Sequence, residues 1–267
     1  MRQEDRELEA VTIRTGGSMS THRFFVPAAW LEQEQVTIIG PLVHRLRNVL
    51  RLVPGDRVAL LDNSGWEHEM EITEVSTQRV EGRIVHKSLV TAEPRTKITL
   101  YQALLKLSKF ETVLEKTTEL GIVGFVPMIT ERCMVGSLDD ISRAKTDRWW
   151  RILIEAAELS RRGRLPTLRP ALMFHAACEE TTRGGLTLIP WEEEKERSLR
   201  SVLDEAERPP FSINLFIGPE GGFTEEEVAL AQSYGALPIT LGPRILRAET
   251  AGLVTATALF YALGDLE

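Results

Sequence analysis

Cysteine is nearly absent from this chain. Only Cys133 and Cys178 occur among 267 residues, and neither lies near another cysteine or a histidine pair. That excludes a disulfide framework and a zinc site, so two reduced, buried thiols and no metal are expected. Long apolar runs are also missing. No stretch approaches the roughly 20 residues that cross a bilayer, and the opening MRQEDRELEA is too charged for a signal peptide. The expectation is a protein that remains in the cytoplasm. An overall positive charge is lacking too, since the formal net charge is -7. A nucleic-acid ligand would therefore depend on how charge is distributed.

That distribution is uneven. Between Arg143 and Arg169, eight basic residues (Arg143, Lys145, Arg148, Arg151, Arg161, Arg162, Arg164 and Arg169) meet only Asp147, Glu155 and Glu158. Between Glu179 and Arg208 acids outnumber bases. A locally positive surface on an acidic protein can still follow a phosphate backbone.

Residues 1–18 are polar and read as a disordered extension or expression remnant. From residue 19 to 92 short alternating runs separated by turns predict a small β-barrel or sandwich. They include RFFVPAAW, RVALLD after Pro54-Gly55, a run with Trp66, His68, Met70 and Ile72 on one face, and RVEGRIVH. One helix interrupts them at about Leu42 to Leu52, with Leu42, Leu46, Val49, Leu50 and Val53 as its apolar stripe. His44, Arg47, Asn48 and Arg51 share the opposite face. A solvated helix face is one reading. A basic face with no acid in it also suits phosphate contacts.

A polar link near Thr91–Arg95 precedes a second domain, 93–267, in which strand and helix patterns alternate. KITLYQAL, IVGFVPMI, LTLIP, INLFIG and LPITL read as strands. Phe110, Val113, Leu114, Thr117 and Leu120 make a helical stripe ending at Gly121. Trp149, Ile152, Leu153 and Ala156 make another. The pattern is α/β, a mostly parallel sheet with helices on both faces.

Two strand ends carry candidate chemistry. In NLFIGPEGGFTEEEV (214–228) a strand ends at Ile217, the chain turns through Gly218–Gly222, and Thr224 with Glu227 fits a capping box. A phosphate cradle needs free N–H groups and no nearby anion. Here Pro219 lacks the N–H, Glu220 adds a carboxylate, and the lysine of a P-loop is absent. A ligand with an adenosine and a cationic sulfonium suits the loop better; a plain connecting turn is the simpler reading. In LGPRILRAETAGLVTATALF (241–260), Arg244, Arg247 and Glu249 cluster after a second strand, and Thr250 can begin the last helix. They form either a structural ion-pair network or an acid/base site. LTLIPWEEE (186–194) adds a third strand end with Trp191 and Glu192.

Taken together, HRFFVP (22–27), HRLRNVLRLVPGD (44–56), EKTTELGI (115–122), ERCMV (131–135), RWWRILIEAAELSRR (148–162), FIGPEGGFTEEEV (216–228) and LGPRILRAETA (241–251) resemble the small-subunit ribosomal RNA uridine N3-methyltransferases. This is the RsmE family of the knotted SPOUT class. The resemblance implies a PUA-like RNA-binding domain followed by a methyltransferase domain with a deep trefoil knot, which general topology rules would not suggest. It also implies a homodimer, S-adenosylmethionine as cofactor, and 16S ribosomal RNA or the small subunit as partner. By position, Ile217, Gly218, Pro219, Glu220, Gly221, Gly222, Leu241, Gly242, Ile245, Leu246 and Thr250 would line the cofactor pocket, with Leu188, Trp191 and Glu192 opposite. Arg247 would stabilise charge, and Glu249 would act as base or orienting group. Arg23, His44, Arg47, Asn48, Arg51, Arg161 and Arg164 would hold RNA. The first 18 residues lack a counterpart. Leu159 stands where glutamine is usual and Arg162 where glycine is common. Thr117 and Thr118 replace smaller or apolar residues. A methyltransferase of this class acting on another RNA nucleotide, a nucleotide-phosphate binder, and a non-catalytic ribosome assembly factor are the competing readings.

Overall fold

The computed structural model describes residues 22–106 and 108–266; the extension expected over 1–18 lies outside them. A first, curled mixed sheet of the PUA-like half-barrel kind contains β1 (His22–Phe25), β2 (Gln35–Ile39), β3 (Arg57–Leu61), β4 (Trp66–Val75) and β5 (Arg79–Leu89). Its order is β1-β3-β4-β5-β2, with β1 parallel to β3 and the other pairs antiparallel. Register shifts near Glu69/Met70 and Ile72/Glu74 bend the β4–β5 ribbon. Gly82 permits the close approach at the bend, because a Cβ there would lie 2.6 Å from the Glu71 carbonyl. Phe24, Ile38, Leu46, Leu60, Met70 and Ile72 fill the interior.

The expected helix over 42–52 is shorter and wider. It runs as α1 (Pro41–His44) into a π-type turn over Arg45–Val49. Val43 and Leu46 are buried, but Val49 and Val53 are 63% and 54% exposed. The wider turn rotates Val49 off the apolar stripe that a regular helix would give it. Arg51 follows with φ 55.

The second sheet is wholly parallel. Its strands are β6 (Lys97–Ala103), β7 (Gly124–Ile129), β8 (Thr167–Leu168), β9 (Leu172–Met173), β10 (Leu186–Pro190), β11 (Ser212–Ile217) and β12 (Leu237–Ile239). The order is β12-β10-β11-β6-β7-β8, with β9 also beside β7. All six residues of β7 are buried, as a strand covered on both faces requires. Pro127 falls between the β7 segments that pair β8 and β9, where its missing N–H does least harm.

The helices are α2 (Lys109–Leu120), α3 (Arg143–Leu159), α4 (Phe174–Thr181), α5 (Leu199–Glu205), α6 (Glu225–Ser233) and α7 (Ala248–Ala262). On one face α2, α3 and α7 bury Phe110, Val113, Leu114, Trp149, Leu153, Leu259 and Phe260, with Phe110 and Trp149 rings 4.5 Å apart. On the other, α4 and α6 cover Phe216 and Phe223 with Phe174, Val228 and Ala231. α7 begins two residues before Thr250, with Arg247 at its N-cap position. The Thr250 amide bonds the Arg247 carbonyl and so belongs to the first turn.

Polar contacts join the two sheets' layers. Buried Glu158 of α3 accepts the Phe25 amide at 3.1 Å and Arg45 at 2.8 Å. Arg162, the residue in a common glycine position, is buried. It pairs with Glu93 at 2.9 Å and donates to the carbonyls of Thr118 and Ile122. Thr117 and Thr118 are buried in α2 and Leu159 is exposed. Both cysteines are free, Cys178 buried and Cys133 half-buried.

Candidate functional site

A cavity of about 760 Å³ opens beyond the carboxyl ends of β10, β11 and β12, where open α/β sheets bind ligands. Its size suits a drug-sized small molecule. The loops after the three strands build it. Trp191 and Glu192 follow β10, the segment from Ile217 through Gly222 follows β11, and Leu241, Gly242, Ile245 and Leu246 follow β12. Arg247 and Glu249 reach it from the start of α7. Two expected residues do not line it. Leu188 is buried in the core with no exposed surface, two residues short of the carboxyl end of β10, where Pro190 on the same face reaches the cavity. Thr250 sits in the first turn of α7 between Glu249 and Ala251, which line the cavity while it does not.

The glycine loop is a tight turn in which the Gly222 amide bonds the Pro219 carbonyl at 3.0 Å. Gly222 has φ +69, a left-handed conformation natural to glycine. Its bare α-carbon also lets the Glu192 carboxylate lie against the loop. Thr224 and Glu227 close the loop with a complete capping box, the amide of each received by the side chain of the other.

Lys109, at the first position of α2, lines the cavity although its sequence position did not suggest it. Its ammonium lies 3.2 Å from Glu249 and 3.8 Å from Glu220, and Glu220 also accepts the Lys106 amide at 3.1 Å. One cation thus joins three walls of the cavity. A signal existed, since a lysine at a helix N-terminus opposes the helix dipole and calls for a compensating anion. Burial works against ionisation of Glu249. Hydrogen bonds from its own amide and from Lys109, with the charges of Lys109 and Arg247, outweigh that and hold its carboxyl below the ordinary range.

The basic residues divide. His44, Arg47, Asn48 and Arg51 are all exposed, but Arg51 lies beyond the π-type turn with φ 55, so the four do not share the face of one regular helix as the spacing predicted. Arg23 is half-buried and engaged within the protein. It pairs with Glu67 and donates to the carbonyls of Arg161 and Arg162 at 3.2 and 3.3 Å. Arg161 is exposed with φ 62, and Arg164 spends a donor on the Ser64 carbonyl at 2.5 Å. Within the 143–169 cluster, Arg148, Arg162 and Arg169 are paired with Glu111, Glu93 and Glu180. Among the described residues no group of metal-ligating side chains converges, and no helix is long and apolar enough to cross a membrane.

Residues 92–260 match the profile of a family described as an RNA methyltransferase domain. The chain is 30% identical over 245 residues to the ribosomal RNA small subunit methyltransferase E of Bacillus subtilis, covering 90% of this chain and 96% of that protein. It is 34% identical over 236 residues to the protein of that name from Synechocystis, covering 87% and 75%. Among solved structures, a methyltransferase from Legionella pneumophila in complex with SAM superimposes with a TM-score of 0.83 at 32% identity, covering 91% and 98% of the two chains. A ribosomal RNA small subunit methyltransferase E from Neisseria gonorrhoeae bound to S-adenosyl methionine gives 0.79 at 30% identity, with the same coverages.

Proposed function

The chain belongs to the RNA methyltransferase family that includes the ribosomal RNA small subunit methyltransferases E, and from that membership we propose that it methylates N3 of a uridine in 16S ribosomal RNA, using S-adenosylmethionine. The observation that carries the reading is the cavity itself. Three adjacent strand ends supply a glycine turn without a phosphate-binding lysine, with Glu192, Glu220 and Glu249 on its walls. Glycine backbone suits close approach to an adenosine, and Glu192, the wall carboxylate that Lys109 does not pair, suits a cationic sulfonium. The lining residues from Trp191 to Leu246 named above would hold that cofactor, which supplies an electrophilic methyl group.

Uridine N3 carries a proton and becomes a good nucleophile when that proton passes to bulk water, placing negative charge on the flanking carbonyl oxygens. Arg247, at the cavity rim, is the group to stabilise that charge. Glu249 is a weak proton acceptor because Lys109 and Arg247 favour its ionised form. Its duty is therefore orientation, fixing Lys109 and the start of α7. The target base must leave its stack to enter, so the substrate is single-stranded or locally opened. The exposed face of His44, Arg47, Asn48 and Arg51, with Arg161, would track its backbone.

Homodimerisation is supported by α7, which has no charged residue after Glu249 and yet leaves Tyr261 69% exposed and Val254 partly so. A helix apolar on every side calls for cover on every side. The trefoil knot is supported by the chain's return from edge strand β12. It passes the 190–198 connection, to which Thr240 is hydrogen-bonded, before α7 packs at mid-sheet on β11 and β6. The boundary near residue 92 divides an RNA-binding unit from a catalytic one, and the substrate puts the activity in the cytoplasm.

The test is methyl transfer from tritiated S-adenosylmethionine to undermethylated 16S ribosomal RNA, with nucleoside mass spectrometry of the product. 3-Methyluridine is expected. Another methylated nucleoside would shift the reading to a different target within the class. Cofactor binding without any transfer would favour the assembly factor.

A further inference from the structure

The segment Glu131–Val135 follows β7, two strands away from β11 across the sheet, and lies outside the cavity lining. It is nevertheless fastened to the glycine loop at two points. Arg132 donates from Nη1 to the carbonyls of Gly221 at 2.8 Å and Phe223 at 3.3 Å. Its aliphatic stem rests on the loop's outer side, where a Cβ added to Gly221 would lie 3.1 Å from the Arg132 Cβ. The second point is Glu227, a buried carboxylate that accepts the Glu131 amide at 2.8 Å and the Thr224 amide at 3.1 Å. One residue of the capping box therefore serves both the helix and the strap.

We propose that Arg132 is a positioning residue that clamps residues 221–223 from outside and holds the loop ready for ligand without touching it. This rests on the assignment of the loop to S-adenosylmethionine. Glycines at 218, 221 and 222 give the backbone conformational freedom that a bound state must remove. A ligand that binds one of several loop conformations loses apparent affinity in proportion to the fraction that is competent. Charge-assisted bonds from a guanidinium to two carbonyls of the loop raise that fraction in advance. Because Arg132 acts on the empty loop, its removal weakens binding while the chemistry, once the site is filled, is left in place.

The experiment uses the full chain, with Arg132→Ala and Arg132→Lys. Calorimetric titration with S-adenosylmethionine and with S-adenosylhomocysteine is combined with steady-state transfer to undermethylated 16S ribosomal RNA. If release of the clamp leaves about a tenth of the loop competent, Arg132→Ala raises Kd for both compounds, and KM for the cofactor, by about tenfold. kcat at saturating cofactor stays within about threefold, KM for RNA holds, and Arg132→Lys, keeping one donating centre, falls between. Wild-type cofactor affinity in Arg132→Ala overturns the clamp. So does a rise in KM for RNA with cofactor KM unmoved, which makes Arg132 a substrate contact. Should the alanine variant melt early, the lysine variant decides: unchanged affinity together with unchanged amide-exchange protection of residues 221–224 overturns the proposal. A wild-type chain that binds neither compound overturns the loop assignment itself.

Discussion

Replacing Gly222 by alanine tests the cavity where the glycine loop meets Glu192. Two effects are expected, and they separate. The first is backbone strain, because φ of +69 is a left-handed conformation that costs an L-residue about 1–2 kcal/mol. At this chain length each kcal/mol lowers Tm by about 2–4 °C. The second is steric. The new methyl would lie 3.1 Å from Cδ of Glu192 and closer still to its Oε1. Glu192 is the end of a flexible side chain, so it swings aside at little cost to folding. Its departure changes the wall that faces the ligand, and a loss of about 10- to 100-fold in S-adenosylmethionine affinity is expected, about 1.4–2.8 kcal/mol. Gly235→Ala is the control. It has φ +88 with nothing within 4 Å of the added atom and lies away from the cavity, so it should melt lower and bind normally. Glu192→Ala completes a double-mutant cycle. If the binding loss runs through Glu192, the double variant is weaker than wild type by much less than the two single losses combined. Differential scanning fluorimetry and calorimetry read both quantities. A Gly222→Ala protein that melts a few degrees early yet binds with wild-type affinity would refute the assignment of this wall to the ligand.

Changing Arg47 and Arg51 together to alanine should weaken RNA binding and flatten its salt dependence. The log–log slope falls by about 1.4 if each contacts one phosphate of a single strand, while calorimetric cofactor affinity holds; an unchanged slope removes this face from the RNA path. Arg247→Ala should lower kcat by about 100-fold or more with little change in cofactor Kd, and equal losses in both would refute charge stabilisation. Glu249→Gln carries a pH prediction. The carboxyl is held below its ordinary value by Lys109, Arg247 and its own amide, so its stabilising contribution is present above the unfolded-state value and disappears as pH falls through the lower folded value. The Tm gap between wild type and Glu249→Gln should therefore be full at neutral pH and close in acid; a gap independent of pH would contradict the ion cluster.

Much of the fold was legible because local rules agreed with one another. The alternation from β3 to β5, the fully apolar β7, the α2 stripe ending at Gly121 and the Thr224–Glu227 capping box each report short-range physics that the sequence carries directly. The glycine loop was legible as a strand-end turn unsuited to phosphate for a similar reason: Pro219 and Glu220 are the wrong chemistry for phosphate whatever path the loop takes. Three features were not. The π-type turn at Arg45–Val49 exposes Val49 through a change of pitch that residue types do not encode. The start of α7 moved to Ala248 although Thr250 is the better capping residue, because Arg247 takes the N-cap position with no side-chain bond at all. Lys109 joined the site from more than a hundred residues away, and only its awkward position at a helix N-terminus hinted at a partner.

The basic cluster shows why counting charge along a chain misjudges a surface. The window 143–169 holds a marked excess of positive charge, but Glu93, Glu111 and Glu180, the partners of Arg162, Arg148 and Arg169, all lie outside that window. Arg162 is spent in the interior. Arg164 and Arg23 are spent at the junction, where an arginine fork satisfies carbonyls that would otherwise lose their water. A screened surface pair contributes little to stability, yet it still cancels the field an approaching phosphate would feel. The exposed 44–51 face differs. His44, Arg47, Asn48 and Arg51 have no acid among them in sequence, and none of their side chains is paired with a carboxylate among the described residues. A short exposed stripe with no acid within it is therefore a stronger indication of a phosphate path than a longer run with a larger nominal charge.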